Sequence, residues 1–161
     1  AGRVFVLFVD RPHPAIDYAA EPFSCLFAED LGIPSFLGLA FRYSILELNT
    51  ALKPHFLAYL HRERGCEQLC YFDPDILVTG DLAPLYSRLR EADLLLTPHL
   101  TAPLEDAAIP GERDILLSGI YNLGFLGLAC NERTLRFLAW WQRRLHDDAG
   151  VQRRFDPPDL Q

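Results

Sequence analysis

Two aspartates stand one residue apart in the segment CYFDPDILVTG, with Pro74 between them. Side chains at such positions on an extended strand point to opposite faces, but a proline after the first aspartate bends the chain. Both carboxylates can then reach one cation, and Mg²⁺ and Mn²⁺ prefer oxygen ligands of this kind. The residue types and their spacing therefore predict a divalent-metal site at Asp73 and Asp75.

The D-P-D triplet also has a simpler interpretation. Asp and Pro are both frequent in turns, so an ordinary surface turn explains the triplet without any metal. The preceding run LCYF favours the metal, because ligands of α/β proteins gather at the carboxyl ends of strands. A cation there would neutralise a nucleoside diphosphate as it leaves, which is the chemistry needed to break a sugar–phosphate bond.

Short apolar runs along the chain predict the strands that position these aspartates. Residues 4–9 form an unbroken run of the kind buried on both faces of a parallel sheet. Further strand-like pieces are residues 69–72, 76–78, 94–97 and 121–128. Residues 98–113 contain three prolines and little periodicity, which predicts a long loop.

Three segments have helical character. Apolar residues recur at helical spacing over residues 44–64, with Gly65 as the C-cap, and Pro54 predicts a kink or a second start. Residues 82–90 form a shorter helical pattern, and Asn131 is expected to cap a final helix. Together with the strands, these helices predict an α/β fold of three layers, in which helices flank a mostly parallel sheet.

Composition limits the possible classes of function. The chain has 161 residues, half of them hydrophobic, and is expected to form a single domain, residues 1–161. Its net charge of −7 argues against binding nucleic acid, and it contains no apolar run long enough to span a membrane. Four scattered cysteines are interpreted as reduced core residues, which suggests the cytoplasm.

Three blocks together resemble a known family of enzymes. CYFDPDILVTGDLAPLY, with ELNTALKPHFL before it and GIYNLGFLGL after it, resembles GT-A-fold nucleotide-diphospho-sugar transferases, especially those like glycosyltransferase family 8. The resemblance covers residues 41–145. It implies transfer of a sugar, with retention of configuration, from a nucleotide-diphosphate sugar to an acceptor hydroxyl, with Mn²⁺ or Mg²⁺ as the cofactor.

The resemblance also assigns roles to particular residues. The metal-binding D-x-D falls on Asp73 and Asp75, and the segment beside the donor sugar falls on Asn122 and Gly124. Lys53 matches a basic residue that faces the donor, although a solvated lysine on a helix is the simpler interpretation.

On the acceptor side the corresponding residue is His99, although an isolated histidine in a loop is more often merely exposed. A third metal-binding histidine, a D-Q pair and an earlier nucleotide-binding strand have no identifiable counterpart, so the chain is expected to be a segment of a larger domain. No residue is assigned as catalytic.

Two other functions compete with the transferase. In haloacid-dehalogenase-like phosphohydrolases an aspartate after a buried strand attacks phosphate and a second, two residues on, acts as acid or base, which CYFDPDILVTG superficially fits. The residues after Asp75 and the order of the later blocks argue against that family. The other alternative is a sugar-nucleotide-binding domain that keeps the fold without the chemistry.

Overall fold

The computed structural model describes residues 2–104 and 109–147 and is a mixture of helices and strands. The strands are β1 (Phe5–Phe8), β2 (Ser24–Phe27), β3 (Gln68–Phe72), β4 (Leu94–Pro98) and β5 (Tyr121–Ala129). The helices are α1 (Phe36–Arg42), α2 (Ile45–Arg64), α3 (Ala83–Arg88), α4 (Glu112–Ser118) and α5 (Glu132–Asp147), with a 3₁₀ helix at Ala28–Leu31. Two compact units result: residues 66–134 form one, and the chain on either side of them forms the other.

The first unit contains the parallel pair of strands. β1 runs parallel to β2, with Phe5 opposite Ser24 and Phe8 opposite Phe27. The residues of β1 are half-buried, so the strand is less enclosed than its unbroken apolar run predicts. Buried side chains from the 3₁₀ helix, α1 and α2 form the core of this unit: Ala28, Leu39, Leu48 and Leu52.

Helix α2 begins and ends on the signals that its sequence contains. The Ser44 side chain accepts a hydrogen bond from the Glu47 amide, and the Glu47 carboxylate accepts one from the Ser44 amide, which forms a capping box. Gly65 ends the helix with a left-handed φ of 63°. Pro54 lies inside a single 20-residue helix, so the alternative of a second start is wrong.

The second unit is built on a three-stranded antiparallel sheet with the order β3-β5-β4. Leu69 lies opposite Leu128 on one side of β5, and Leu94 lies opposite the same residue on the other side. The expected mixture of helices and strands is thus confirmed and includes one small parallel pair, β1 and β2, whereas this sheet is antiparallel and differs from the mostly parallel one that was expected. The run at residues 76–78 forms no strand and is exposed, because it lies beyond the last pair of β3 with β5.

The start of α5 confirms the cap expected at Asn131. Its side-chain oxygen accepts hydrogen bonds from the amides of Arg133 and Thr134 at 3.0 and 3.1 Å. The Asn131 amide group donates to Asp93 at 2.6 Å, and Arg133 forms an ion pair with the same carboxylate. The cap therefore also ties the start of α5 to the residue that precedes β4.

The four cysteines are free, as expected, but each is only partly buried. Burial raises the pKa of the Cys130 thiol to about 11, so this thiol is neutral near pH 7. Within residues 2–104 and 109–147, no helix combines the length and the apolar character needed to cross a bilayer.

The contact between Gly127 of β5 and Leu95 of β4 yields a first prediction. A Cβ at position 127 would lie 3.0 Å from Leu95 Cβ and 3.2 Å from its Cδ1, so Gly127→Ala overpacks the sheet. We expect a loss of about 1–3 kcal/mol in the free energy of unfolding, measured by urea denaturation. Gly80→Ala, at a position where a Cβ meets no atom within 4 Å, should change that free energy much less.

Candidate functional site

One edge of the antiparallel sheet collects residues from all three of its strands. Because β5 runs opposite to both neighbours, its first residues lie beside the last residues of β3 and β4. The Asp73 amide donates a hydrogen bond to the Gly124 carbonyl at 2.8 Å. On the other side the His99 amide donates to the Ile120 carbonyl at 2.9 Å. The D-P-D turn and the Asn-x-Gly segment are thus neighbours.

The D-P-D triplet forms a tight turn directly after β3. The Ile76 amide donates to the Asp73 carbonyl at 3.0 Å, which closes a four-residue turn with Pro74 in its second position. Asp73 is half-buried beside the sheet, whereas Asp75 is exposed. The expected bend at the proline is therefore present.

Tyr71 contacts the first of the two carboxylates, and the sequence interpretation missed it. Its hydroxyl donates a hydrogen bond to Asp73 Oδ1 at 2.7 Å. Burial raises the pKa of Tyr71, and the hydrogen bond to Asp73 and the negative charges of Asp73 and Asp75 raise it further. The printed contact of the phenol is with Asp73 alone, and Asp75 acts on it only through its charge.

The signal for Tyr71 was present in the sequence. Residues two apart on a strand point to the same face, so Tyr71 and Asp73 share a face of β3 up to its end. A tyrosine two residues before an acidic turn is therefore in reach of the first carboxylate. The pairing needs the strand to stay regular up to Phe72, which the ladder with Phe125 ensures.

Gly124 allows the second block to approach the turn closely. Its amide donates to Asn122 Oδ1 at 2.7 Å. A Cβ at position 124 would lie 2.9 Å from Asn122 Oδ1, 3.3 Å from Ile76 Cδ1 and 3.5 Å from Asp73 Oδ2. Only a residue without a side chain leaves this space open beside the Asp73 carboxylate.

A break in the register of β4 accompanies this approach. Leu96 pairs with Leu126, but the next residue, Thr97, pairs with Asn122. The residues of β5 between these two partners are therefore out of step with β4, which is the geometry of a bulge or irregularity. Such irregularities recur beside active sites because they redirect side chains.

The two carboxylates suit a small divalent cation. Mg²⁺ and Mn²⁺ are commonly held by one or two carboxylates together with the phosphates of a substrate. Asp73 offers Oδ2 on the side of Gly124, and Asp75 adds a second carboxylate at the same turn. Among residues 2–104 and 109–147, no group of three or more His, Cys, Asp and Glu side chains is placed to hold a metal. A cation at this turn would therefore have no more than two of these side chains, Asp73 and Asp75, as ligands and would need oxygens from elsewhere.

The two remaining candidates, Lys53 and His99, lie in different units. Lys53 belongs to the first unit, where it is 7% exposed within α2, so the simpler interpretation of a solvated lysine is wrong. Its role towards a donor stays a prediction. His99 follows β4 at the same edge as the turn and is exposed.

An apolar cavity of about 360 Å³ opens next to His99 in the second unit. It is lined by Leu100, Thr101, Ala102, Pro103, Glu112, Ile115, Leu116 and Ile120. The sequence predicted a long loop over residues 98–113; α4 overlaps only the last two of these residues and supplies part of the wall.

No model of a protein family, no curated protein and no solved structure matches the chain. What supports a function is therefore the chemistry of the site itself.

The convergence of the two carboxylates on Tyr71 can be tested by titration. Asp75→Asn removes one negative charge near the phenol, so the phenolate forms more easily and the pKa of Tyr71 should fall. NMR of ¹³C-labelled tyrosine, with Tyr71→Phe to assign the signal, measures this pKa. Glu91→Gln, which neutralises an exposed carboxylate of the same unit, should leave it unchanged. An equal pKa in Asp75→Asn and the wild type would show that Asp75 points away.

Proposed function

We propose that the chain is part of a GT-A-like glycosyltransferase that uses a nucleotide-diphosphate sugar and a divalent cation, Mn²⁺ or Mg²⁺. The observation that carries the proposal is the joint position of Asp73, Asn122 and Gly124 at one edge of the sheet, with Asp75 in the same turn as Asp73. Two metal-binding carboxylates alone are compatible with many reactions. The same two carboxylates beside a glycine that leaves room for a ligand fit a bound diphosphate sugar better.

Each residue has a distinct task in this proposal. The cation, when bound, offsets the charge that develops on the leaving diphosphate. Asp73 and Asp75 hold it, and the hydrogen bond from Tyr71 keeps the Asp73 carboxylate in a fixed orientation. The side-chain oxygen of Asn122 accepts a hydrogen bond from the Gly124 amide. The NH₂ group of the Asn122 side chain is therefore the part that faces a sugar hydroxyl. His99, at the same edge, borders the acceptor side.

The reaction is the transfer of the sugar to an acceptor hydroxyl. The resemblance to family 8 transferases supports retention of the anomeric configuration, and the apolar cavity beside His99 offers room for part of the acceptor. The haloacid-dehalogenase alternative gains no support here. Asp73 does follow a strand, but that strand is an outer strand of an antiparallel sheet. One oxygen of the Asp73 carboxylate also accepts a hydrogen bond from Tyr71.

One observation favours a second candidate, a domain that binds sugar nucleotides without turning them over. Within the described part of the chain, the two carboxylates gain no third protein ligand. A site completed only by substrate oxygens holds its cation more weakly, which suits binding better than catalysis. Turnover is the measurement that separates the two candidates.

Removal of either carboxylate tests the metal site. Asp73→Ala and Asp75→Ala should each lower the Mn²⁺-dependent affinity for a nucleotide sugar on the order of 100-fold, because the cation loses a direct ligand. Calorimetric titration with a panel of uridine, guanosine and adenosine diphosphate sugars, with and without Mn²⁺, measures this affinity. Glu91→Ala removes an exposed carboxylate of the same unit and should behave like the wild type.

The same samples distinguish the candidates. Release of free sugar or nucleoside diphosphate supports the transferase, and metal-dependent binding without release supports the silent domain. Cleavage of simple phosphate esters would instead favour a phosphohydrolase. Binding that is independent of Mn²⁺ and of both aspartates would contradict the proposal.

Gly124→Ala tests the space beside Asp73. The added methyl group would meet Asn122 Oδ1 at 2.9 Å and must displace that side chain. Because Asn122 faces the sugar, we expect the affinity for the nucleotide sugar to fall at least about tenfold, while the affinity for Mn²⁺ alone changes less. The comparison of the two affinities by calorimetry checks this, and Gly80→Ala is the control at an open position. Equal affinities for the sugar nucleotide in Gly124→Ala and the wild type would place the sugar elsewhere.

A further inference from the structure

The cavity beside His99 has mostly apolar walls. Six of its eight lining residues carry hydrocarbon side chains: Leu100, Ala102, Pro103, Ile115, Leu116 and Ile120. Ile115 is half-buried, whereas Leu116 and Ile120 keep 67% and 54% of their surface in contact with solvent. The cavity therefore holds apolar surface in water, and a ligand of matching character gains free energy by covering it.

Hydrogen bonds hold the walls of this cavity in place. The Leu104 amide donates to Glu112 Oε1 at 2.7 Å, which joins the chain after β4 to the first turn of α4. The His99 amide donates to the Ile120 carbonyl at 2.9 Å, which joins the same stretch to the residue before β5. Residues 99–104 are thus tied at both ends, so the cavity is formed before a ligand enters it.

The walls select the chemistry of the ligand. A sugar hydroxyl that leaves water costs free energy unless it finds a hydrogen-bond partner. Among the lining residues only Thr101 and Glu112 have polar side chains, and the Glu112 carboxylate already accepts the bond from Leu104. Hydrocarbon needs no such partner and gains free energy with each group removed from water. The cavity therefore fits a hydrocarbon chain better than a sugar ring.

We infer that this cavity binds the hydrocarbon tail of an amphipathic alcohol, with the hydroxyl end towards His99. His99 is exposed, precedes the lining residue Leu100 and is joined by its amide to Ile120 of the opposite wall. An imidazole ring can donate a hydrogen bond to a hydroxyl group or accept one from it. Binding of the tail rests on the cavity alone. That this alcohol is the acceptor of the sugar rests on the proposed function.

Alkyl glucosides of graded length test the cavity directly. Methyl, hexyl, heptyl and octyl glucoside share one hydroxyl-bearing head and differ only in the tail. From hexyl to octyl glucoside we expect the affinity to rise about threefold for each added methylene, because each leaves water for the apolar wall. NMR titration of the ¹⁵N-labelled chain, below the concentrations at which micelles form, measures these affinities. The shifts should centre on Leu100 and Leu116, and methyl glucoside should produce none that saturate.

Two substitutions on α4 form a matched pair. Leu116→Asn replaces part of the apolar wall by an amide, so the affinity for octyl glucoside should fall about tenfold. Leu117→Asn makes the same change one residue further along the helix, at a side chain that is 77% exposed and does not line the cavity. It should keep the wild-type affinity. Equal losses in the two variants would overturn the inference, because the effect would then belong to the helix and not to the cavity.

Ala102→Leu separates a cavity from an adhesive surface. The larger side chain fills space inside the cavity, so octyl glucoside should bind several-fold more weakly although the surface has become more apolar. Ala83→Leu makes the same change at an exposed position of the same unit and serves as the control. An affinity that stays equal or rises in Ala102→Leu contradicts binding in the cavity.

Failures of the two proposals remain distinguishable. Consumption of a sugar nucleotide is measured with each alkyl glucoside as the acceptor. If octyl glucoside binds in the cavity but promotes no more consumption than methyl glucoside, the tail site stands and its link to the acceptor is wrong. If a sugar nucleotide is consumed but neither binding nor consumption depends on tail length, the cavity inference alone fails.

Discussion

The antiparallel placement of β5 between β3 and β4 is the constraint on which the candidate site depends. A central strand that runs against both neighbours brings its own beginning to the edge where they end. That arrangement joins Asp73 to Gly124 by a backbone hydrogen bond, although 50 residues of chain separate the two blocks. If β5 ran in the other direction, Asn122 and Gly124 would lie at the opposite edge. The direction of β5 thus determines which residues meet at the site, and their side chains then determine its chemistry.

The hydrogen bond between Tyr71 and Asp73 then converts an ordinary turn into an organised one. A half-buried carboxylate loses part of its hydration, and a donor at 2.7 Å compensates for that loss while fixing the plane of the group. A surface D-P-D turn without such a partner would leave its carboxylates free to rotate in solvent. The simpler interpretation of the triplet as a turn is therefore correct for its backbone, yet it does not account for the hydroxyl of Tyr71, which donates to Asp73.

Local features of the chain were predictable from the sequence because their causes are local. The ends of α2 follow from Ser44, Glu47 and Gly65, and the start of α5 follows from Asn131, each through a hydrogen bond or a backbone angle that spans few residues. The bend at Pro74 belongs to the same class. Residues two apart on a strand share a face, so the sequence of β3 also indicated that Tyr71 could reach Asp73. That inference holds only if the strand stays regular up to the aspartate, which the sequence does not reveal.

Pairing direction was not predictable, because apolar runs such as residues 94–97 look alike in parallel and antiparallel sheets. The apolar run at residues 76–78 was misleading for a related reason, since hydrophobicity predicts a strand only where a partner strand is present.

The register break beside Leu96 divides the pairing of β4 with β5 into two parts. Residues up to Leu96 pair with β5 in one register, whereas Thr97 and Asn122 pair in another. Evolution can therefore exchange residues at the rim and alter what the protein recognises, while the interior pairs continue to specify the same sheet.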